Sequence, residues 1–242
     1  MLQQSEFTDK LTACFKENGL SEYAGVSEQL YTLTRLLIDY NAHTNLTAIT
    51  DPDGIISRHY ADSLALCRHI PPMATLLDVG AGAGFPSLPI AIAHPDVTVT
   101  ALDSTAKKLG FIDEAATSLG LTNITALNRR AENAAHESIY REHFTVVTAR
   151  AVARLNILCE LCLPFTEVDG KFIAMKGSAG ESEFSEASEA IRVLGGAMTE
   201  NIAGILITGG EIQKRYTIII QKNRHTPKNY PRNYSQINKK PL

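Results

Sequence analysis

Leu76-Leu77-Asp78-Val79-Gly80-Ala81-Gly82-Ala83-Gly84-Phe85-Pro86, followed by the apolar run Val97 to Asp103, sets the architecture of this 242-residue chain. An apolar strand leads into three alternating glycines and then a helix start. Glycines at that place let backbone N–H groups approach an extended ligand without side-chain interference. Asp103, about 20 positions on, fits a carboxylate that accepts ribose hydroxyls at the tip of the neighbouring strand.

Outward from the loop, the pattern predicts alternating strands and helices. Strands are expected at 75–79, 97–102, 124–127, 144–148, 171–175, 198–207 and 215–221, and helices at 88–93, 106–119, 131–140, 155–163 and 181–194. Alternation of this kind implies parallel βαβ units in a sheet covered on both faces. Gly209-Gly210 suits a hairpin between the last two strands, so the final strand is expected to run antiparallel. Before the loop, three helices are expected. One spans about 4–18, a second starts near Ser27 with a stripe at Leu30, Leu33, Leu36, Leu37 and Tyr40, and a third opens at Asp51-Pro52 and ends before Pro71-Pro72. The expected organisation is a helical segment, 1–72, packed on an α/β ligand-binding domain, 73–242, that ends in a basic tail.

Composition is that of a globular protein, with 44% apolar and 20% charged residues. Met1 to Lys16 lacks a basic stretch followed by an apolar run, and nowhere do 18 apolar residues stand together, so a cytoplasmic chain is expected. No exposed heptad or long apolar stripe calls for a partner copy, which favours a monomer. Cys159 and Cys162 form a C-x-x-C, but the flanking leucines place them on the buried side of a helix, where cysteine acts as a small hydrophobe. No second cysteine or histidine pair completes a metal site. From Ile212 to Leu242 there are eight Lys or Arg and no Asp or Glu, while the other 211 residues carry 15 basic and 26 acidic side chains. A polyanion near the C-terminus is one explanation, with Tyr216, Tyr230 and Tyr234 as stacking surfaces, and a solvated tail is the other.

Three glycine-loop chemistries compete for Asp78–Pro86. A nucleoside-triphosphate loop needs a following Lys-Ser or Lys-Thr, which is missing. A dinucleotide loop needs glycine at position 85, where Phe85 stands, and loses the residue that permits close helix-to-strand packing. The pattern D-x-G-x-G-x-G suits a smaller cofactor without pyrophosphate. S-adenosylmethionine fits, with its amino-acid part over Asp78, Gly80, Gly82, Gly84 and Phe85, its ribose at Asp103 or Ser104, and its adenine edge at Ala131-Glu132.

Several further stretches resemble one family, the ribosomal small-subunit methyltransferase G family, also called glucose-inhibited division protein B. They are Asn45-Leu46-Thr47, Arg58-His59-Tyr60-Ala61-Asp62-Ser63-Leu64, Asp78 to Pro89, Asp103-Ser104-Thr105-Ala106-Lys107-Lys108, Arg129-Arg130-Ala131-Glu132, Ala149-Arg150-Ala151-Val152-Ala153 and Met175-Lys176-Gly177. The resemblance implies a class I Rossmann-like methyltransferase, with a seven-stranded, mostly parallel sheet and an antiparallel last strand. It further implies methyl transfer to N7 of one guanosine in 16S ribosomal RNA, on naked RNA or in the 30S subunit. Cofactor positions carried over are Gly80, Phe85, Asp103 to Thr105, Ala131, Glu132 and Arg150. Tyr40 stands where Trp is usual, and 233–237 replaces the usual Lys-Ala-Gly-Thr-Pro.

Guanine N7 has an in-plane lone pair and no proton, so this reaction needs alignment and charge tolerance but no general base. The chain accordingly lacks the N-P-P-Y loop of amino methylation and the Pro-Cys nucleophile of pyrimidine C5 methylation. Arg150, at the end of the fourth predicted strand, is expected to contact guanine, an RNA phosphate or the cofactor carboxylate, or else to anchor the sheet end as an ion pair. His59 is a second positioning candidate, and Asp62 beside it reads as structural. Expected RNA contacts are Lys107, Lys108, Lys176, Arg224, Lys228, Arg232, Lys239 and Lys240. The alternatives are a small-molecule methyltransferase and a non-catalytic RNA- or ribosome-binding module that keeps the fold.

Overall fold

The computed structural model describes residues 2–242, the side chains of 198 and 199 excepted. Its strands are β1 (Thr75–Val79), β2 (Thr98–Asp103), β3 (Ile124–Asn128), β4 (Phe144–Arg150), β5 (Thr166–Lys176), β6 (Gly196–Thr208) and β7 (Glu211–Lys222). They form one sheet in the order β3-β2-β1-β4-β5-β7-β6. The first five are parallel, and β7 runs antiparallel to both neighbours. The order reverses between β1 and β4, which opens a crevice at the carboxyl ends of those strands.

Successive strand residues face opposite layers, and the two apolar clusters divide accordingly. Leu76, Val146, Ile173 and Ile219 join one cluster; Leu77, Val147, Phe172, Ala174, Ile218 and Ile220 join the other. The first is covered by α4 (Ser87–Ala93), α5 (Ala106–Leu119) and the amino-terminal helices α1 (Gln4–Glu17) and α2 (Ser27–Thr44). Phe7, Leu11, Phe15, Leu30, Leu33 and Leu37 lie in that same cluster, so the helical segment shares its core with the sheet. The second is covered by α7 (Leu155–Cys162), α9 (Ser188–Val193) and the tail helix α10 (Tyr234–Lys239), with α6 (Ala131–Ala134) and α8 (Gly180–Glu186) beside them. Cys159 and Cys162 are fully buried there, and burial pushes both thiols well above their usual range, which leaves no thiolate for redox work.

Three predicted helices change shape. The third amino-terminal helix, α3, covers 52–64, and its centre, Ile55–Ala61, is a π-helix between two α turns. Its start follows expectation, with Pro52 at the first position and the Asp51 carboxylate accepting from Gly54 N at 2.6 Å. The helix expected over 131–140 stops at Ala134, because the amides of His136 and Glu137 reach back only three residues and Arg141 Nη1 donates to the Ala135 carbonyl. The helix expected over 181–194 divides at Ala187 into α8 and α9. Strand β5 begins earlier than 171 through an irregular register, where Asp169 has φ 69° and a Cβ at Gly170 would meet Thr145 O at 2.8 Å.

The basic tail is tied down along its length. Arg141 donates to the carbonyls of Thr226, Pro227 and Tyr230, and Lys222 Nζ, fully buried, donates to Leu163 O and Thr226 Oγ1. Burial draws the Lys222 ammonium down to about 8 even though Glu142 lies 3.2 Å away. Arg232 closes the strap with bonds of 2.8 and 2.6 Å to the two oxygens of Glu160, itself fully buried, while its backbone N–H donates to Oε1 as well.

Candidate active site

The crevice at the carboxyl ends of β1, β2 and β4 widens into a cleft of about 1060 Å³. Its floor is the glycine loop, where Gly80, Gly82 and Gly84 all have positive φ. The three glycines serve different ends. A Cβ on Gly80 would stand 2.6 Å from Val152 of the β4–α7 loop, so glycine there lets two strand ends meet. Gly82 has nothing nearer its Cβ position than Gly80 O at 3.9 Å, which leaves an open cradle for a ligand. A Cβ on Gly84 would meet Leu88 at 2.6 Å, so this glycine seats α4 and lies behind the cleft wall. Gly84 thereby supplies the close packing expected from a glycine at 85, and it does not itself line the cleft.

Asp78, also expected at the cofactor, is set back in the same way. It is fully buried beneath the loop, with Oδ2 accepting from Ser87 Oγ at 2.5 Å, and it does not line the cleft. Desolvation pushes its carboxyl up to about 6, and Oδ1 has no hydrogen-bond partner among the described residues. Above that pH it is a buried anion under the glycine loop, held only in part by Ser87 and the more distant charge of Arg150, and suited to a cationic ligand lying above.

Asp103 does line the cleft. Oδ2 accepts from Gly82 N at 3.0 Å and Oδ1 from Thr105 N at 2.8 Å. A carboxylate oxygen has two lone pairs, so one on each remains for a pair of vicinal hydroxyls. Ser104, Thr105, Ala131 and Glu132 line the same side of the cleft. The open cradle at Gly82, the half-used Asp103 carboxylate and the buried Asp78 anion together fit S-adenosylmethionine.

Arg150, the last residue of β4, ties the opposite wall together. Nε donates to Phe85 O at 3.3 Å, and Nη1 to Arg58 O at 2.7 Å and Asp62 Oδ2 at 3.3 Å. Nη2 lies 3.4 Å from His59 Nδ1, which must accept because a guanidinium only donates. Nε2 of His59 then donates to Thr47 Oγ1 at 3.1 Å. The imidazole stacks on Phe85, with centroids 4.1 Å apart and planes 2° from parallel. Burial, reinforced by Arg150 and Arg58, lowers the His59 pKa to about 3. It is neutral at physiological pH with both nitrogens engaged, and so has no lone pair to offer a substrate proton. Asp62 accepts from Arg150 and from Arg215 Nε at 2.9 Å, so one carboxylate serves two guanidinium groups.

Among the expected RNA contacts, only Lys108 and Lys176 line the cleft. Lys176 is turned inward, with Nζ donating to Ala153 O and paired to Glu183 at 2.7 Å. Lys107 Nζ donates to His43 O in the last turn of α2, where the negative end of the helix dipole offsets its charge. Arg232 is consumed by Glu160, and Arg224 donates to Arg192 O. Lys228, Lys239 and Lys240 are exposed and lie away from the cleft. The cleft instead gathers Arg58, Arg68, Arg129, Arg130, Arg150 and Arg215 from five separate stretches of chain. Thr47, which holds the His59 tautomer, is the other residue that sequence reasoning missed. Its signal was Asn45, whose left-handed φ of 52° ends α2 and turns the chain back toward α3.

The GidB family profile, rRNA small subunit methyltransferase G, matches residues 26–204. The ribosomal RNA small subunit methyltransferase G of Halalkalibacterium halodurans is 40% identical over 243 residues, covering 100% of both chains. That of Limosilactobacillus reuteri is 42% identical over 231 residues, covering 93% of this chain and 95% of the relative. Among solved structures, TrmN from Thermus thermophilus superposes with a TM-score of 0.51 at 21% identity, over 69% of this chain and 53% of that one. A 16S rRNA (adenine(1408)-N(1))-methyltransferase from Catenulisporales acidiphilia, solved with its cosubstrate SAM, superposes with a TM-score of 0.52 at 11% identity, over 69% and 91%. The solved structures establish the Rossmann-like methyltransferase fold, and the full-length relatives establish more: this chain belongs to the rRNA small subunit methyltransferase G family.

Proposed function

We infer that this protein transfers the methyl group of S-adenosylmethionine to N7 of a guanosine in 16S ribosomal RNA. The observation that carries the inference is the state of the histidine stacked on the glycine-loop wall: His59 is neutral and bonded through both nitrogens. A base-requiring methylation would leave such a group free, whereas attack by the N7 lone pair asks only for alignment.

When bound, S-adenosylmethionine supplies an electrophilic methyl group on a sulfonium. The residues of this chain do the rest. Gly82 leaves room over the loop backbone, Asp103 keeps two lone pairs for the ribose hydroxyls, and Ala131-Glu132 border the adenine edge. Arg150 fixes the carbonyls of Phe85 and Arg58 relative to each other, which holds the cofactor wall against α3. The positive charge that passes to the purine is balanced by Asp103, Glu132 and the buried Asp78. Arginines at the rim meet RNA phosphates, and because a guanidinium is already protonated and a very weak acid it takes no part in proton transfer.

In this reading the protein works as a monomer in the cytoplasm and needs no metal. No described helix is long and apolar enough to cross a membrane, and no described cluster of His, Cys, Asp or Glu has a metal-binding arrangement. The test is incubation with 30S subunits, or with deproteinised 16S RNA, and S-adenosylmethionine carrying a deuterated methyl. Mass-spectrometric mapping should find one labelled 7-methylguanosine; label on another atom, or none, defeats the reading.

A further inference from the structure

Three tyrosines accompany the basic tail, and the fold treats them differently. Tyr216 is 8% exposed and donates to Glu181 Oε2 at 3.1 Å. Tyr230 is half-buried, its ring 5.9 Å from the Arg232 guanidinium. Tyr234 alone among them presents an exposed ring, 38% accessible, in the wall of the active-site cleft.

We propose that the Tyr234 ring is a stacking platform for an unpaired base of the RNA substrate next to the target nucleotide. This rests on the function inferred above and adds a residue to its RNA-binding surface.

The position is built rigidly from both sides. Arg232, two residues before, is locked on the buried Glu160, and Ile237, three residues after, is fully buried. Asn233 caps the helix that Tyr234 begins, its side chain accepting from Gln236 N at 3.0 Å. A tyrosine fixed in this way loses little freedom on binding, because only its two side-chain torsions remain to be ordered. The same cleft is lined by exposed Arg129 and Arg130 as well, whereas Val79, Phe85 and Leu102 in its wall are buried. An exposed aromatic among arginines is the surface that single-stranded RNA uses, with phosphates on the cations and splayed bases on the ring. Tyr234 further lies within 233–237, the stretch that replaces the usual family sequence, so the platform is a property of this chain.

Base stacking on an aromatic is worth about 5- to 150-fold in affinity. Y234A should therefore raise KM for the RNA substrate by about that factor and leave the Kd for S-adenosylmethionine within about twofold of wild type. Y234W should restore KM, since a larger ring stacks at least as well. The chain contains no tryptophan, so Y234W also carries the molecule's sole indole. Its emission should not respond to S-adenosylmethionine alone. An unchanged KM in Y234A overturns the proposal, as does an indole response to the cofactor alone, which would put the ring over the adenine. Wild-type protein that leaves the RNA unmethylated overturns the function itself; active wild type with an indifferent Y234A overturns only the platform.

Discussion

Two arginine clamps hold this molecule, and they differ in how their charge is balanced. In the tail, Arg232 meets a single fully buried carboxylate, Glu160, and the pair is closed one to one. At the cleft, Arg150 and Arg215 share Asp62, and the remaining partners of Arg150 are two carbonyls and a neutral imidazole. Arg232 therefore spends its charge on folding, while the cleft retains an excess facing the substrate. A run of basic residues in a sequence is a count of charges, and only their partners decide which of them reach RNA.

Acid breaks the cleft clamp most strongly. The His59 pKa in the folded protein, about 3, lies below its ordinary 6.5, so the fold favours the neutral ring. Its contribution is fully present above pH 6.5 and is lost as pH falls toward 3, because the unfolded chain takes up the proton first. The expected loss is about 1.4 kcal/mol for each pH unit below about 6, roughly 5 kcal/mol in full. Denaturant melts of wild type and His59→Gln between pH 7.5 and 4.5 check this: the glutamine keeps an acceptor for Arg150 and a donor for Thr47, and should remove this part of the slope. Equal slopes would mean that His59 is not held neutral.

The tail clamp breaks by truncation. Arg232→Ala leaves the Glu160 carboxylate buried without its cation and should cost about 3–5 kcal/mol in a urea melt. The affinity of the folded fraction for S-adenosylmethionine, measured calorimetrically, should stay within about twofold. A large drop in that affinity would show that the two clamps are mechanically linked.

Arg150→Ala reverses that pattern. It releases the Phe85 and Arg58 carbonyls and frees the cofactor wall to shift, and displacement by about 1 Å at a reacting centre costs on the order of 100-fold in rate. Single-turnover methylation should fall by that factor while the melting midpoint changes less than in Arg232→Ala. Arg150→Lys should not rescue it, since an ammonium cannot span four partners in a plane. Near-normal turnover in Arg150→Ala would reduce Arg150 to an anchor of the sheet end.

What the sequence made legible follows the range of the interactions. The strands, the loop and the late hairpin are written in local patterns, namely apolar runs, alternating glycines and Gly209-Gly210. So is the start of α3, in Asp51-Pro52. The π geometry of Ile55–Ala61 is not, because the same residues fit an ordinary helix and their divergence accompanies contacts with β4, about 90 positions away. The packing of Gly84 was not legible because spacing shows that a glycine is needed without showing which neighbour needs it, and here that neighbour is Leu88. The partners of the tail are hidden for the same reason at longer range, since Glu160 stands 72 residues before Arg232. Arg58, Arg68 and Arg215 carry no shared local signal, and only folding gathers them.

The smallest effect sharpens the comparison most, because it separates charge that meets RNA from charge that merely accumulates. Each cation that neutralises a phosphate contributes about 0.7–0.9 to the slope of log K against log salt. Arg68 lines the cleft without a side-chain hydrogen bond or ion pair of its own among the described residues. Arg68→Gln should lower the slope for the RNA substrate by about that amount and weaken binding a few-fold. Lys239 and Lys240 are exposed but stand outside the cleft, and the double change of both to Gln should move the slope by less than the single cleft substitution, although it removes twice the charge. Filter-binding titrations over a series of salt concentrations give both slopes. If the double lysine variant loses more than Arg68→Gln, the RNA path runs over the tail helix as well as the cleft, and the division of labour between the two clamps fails.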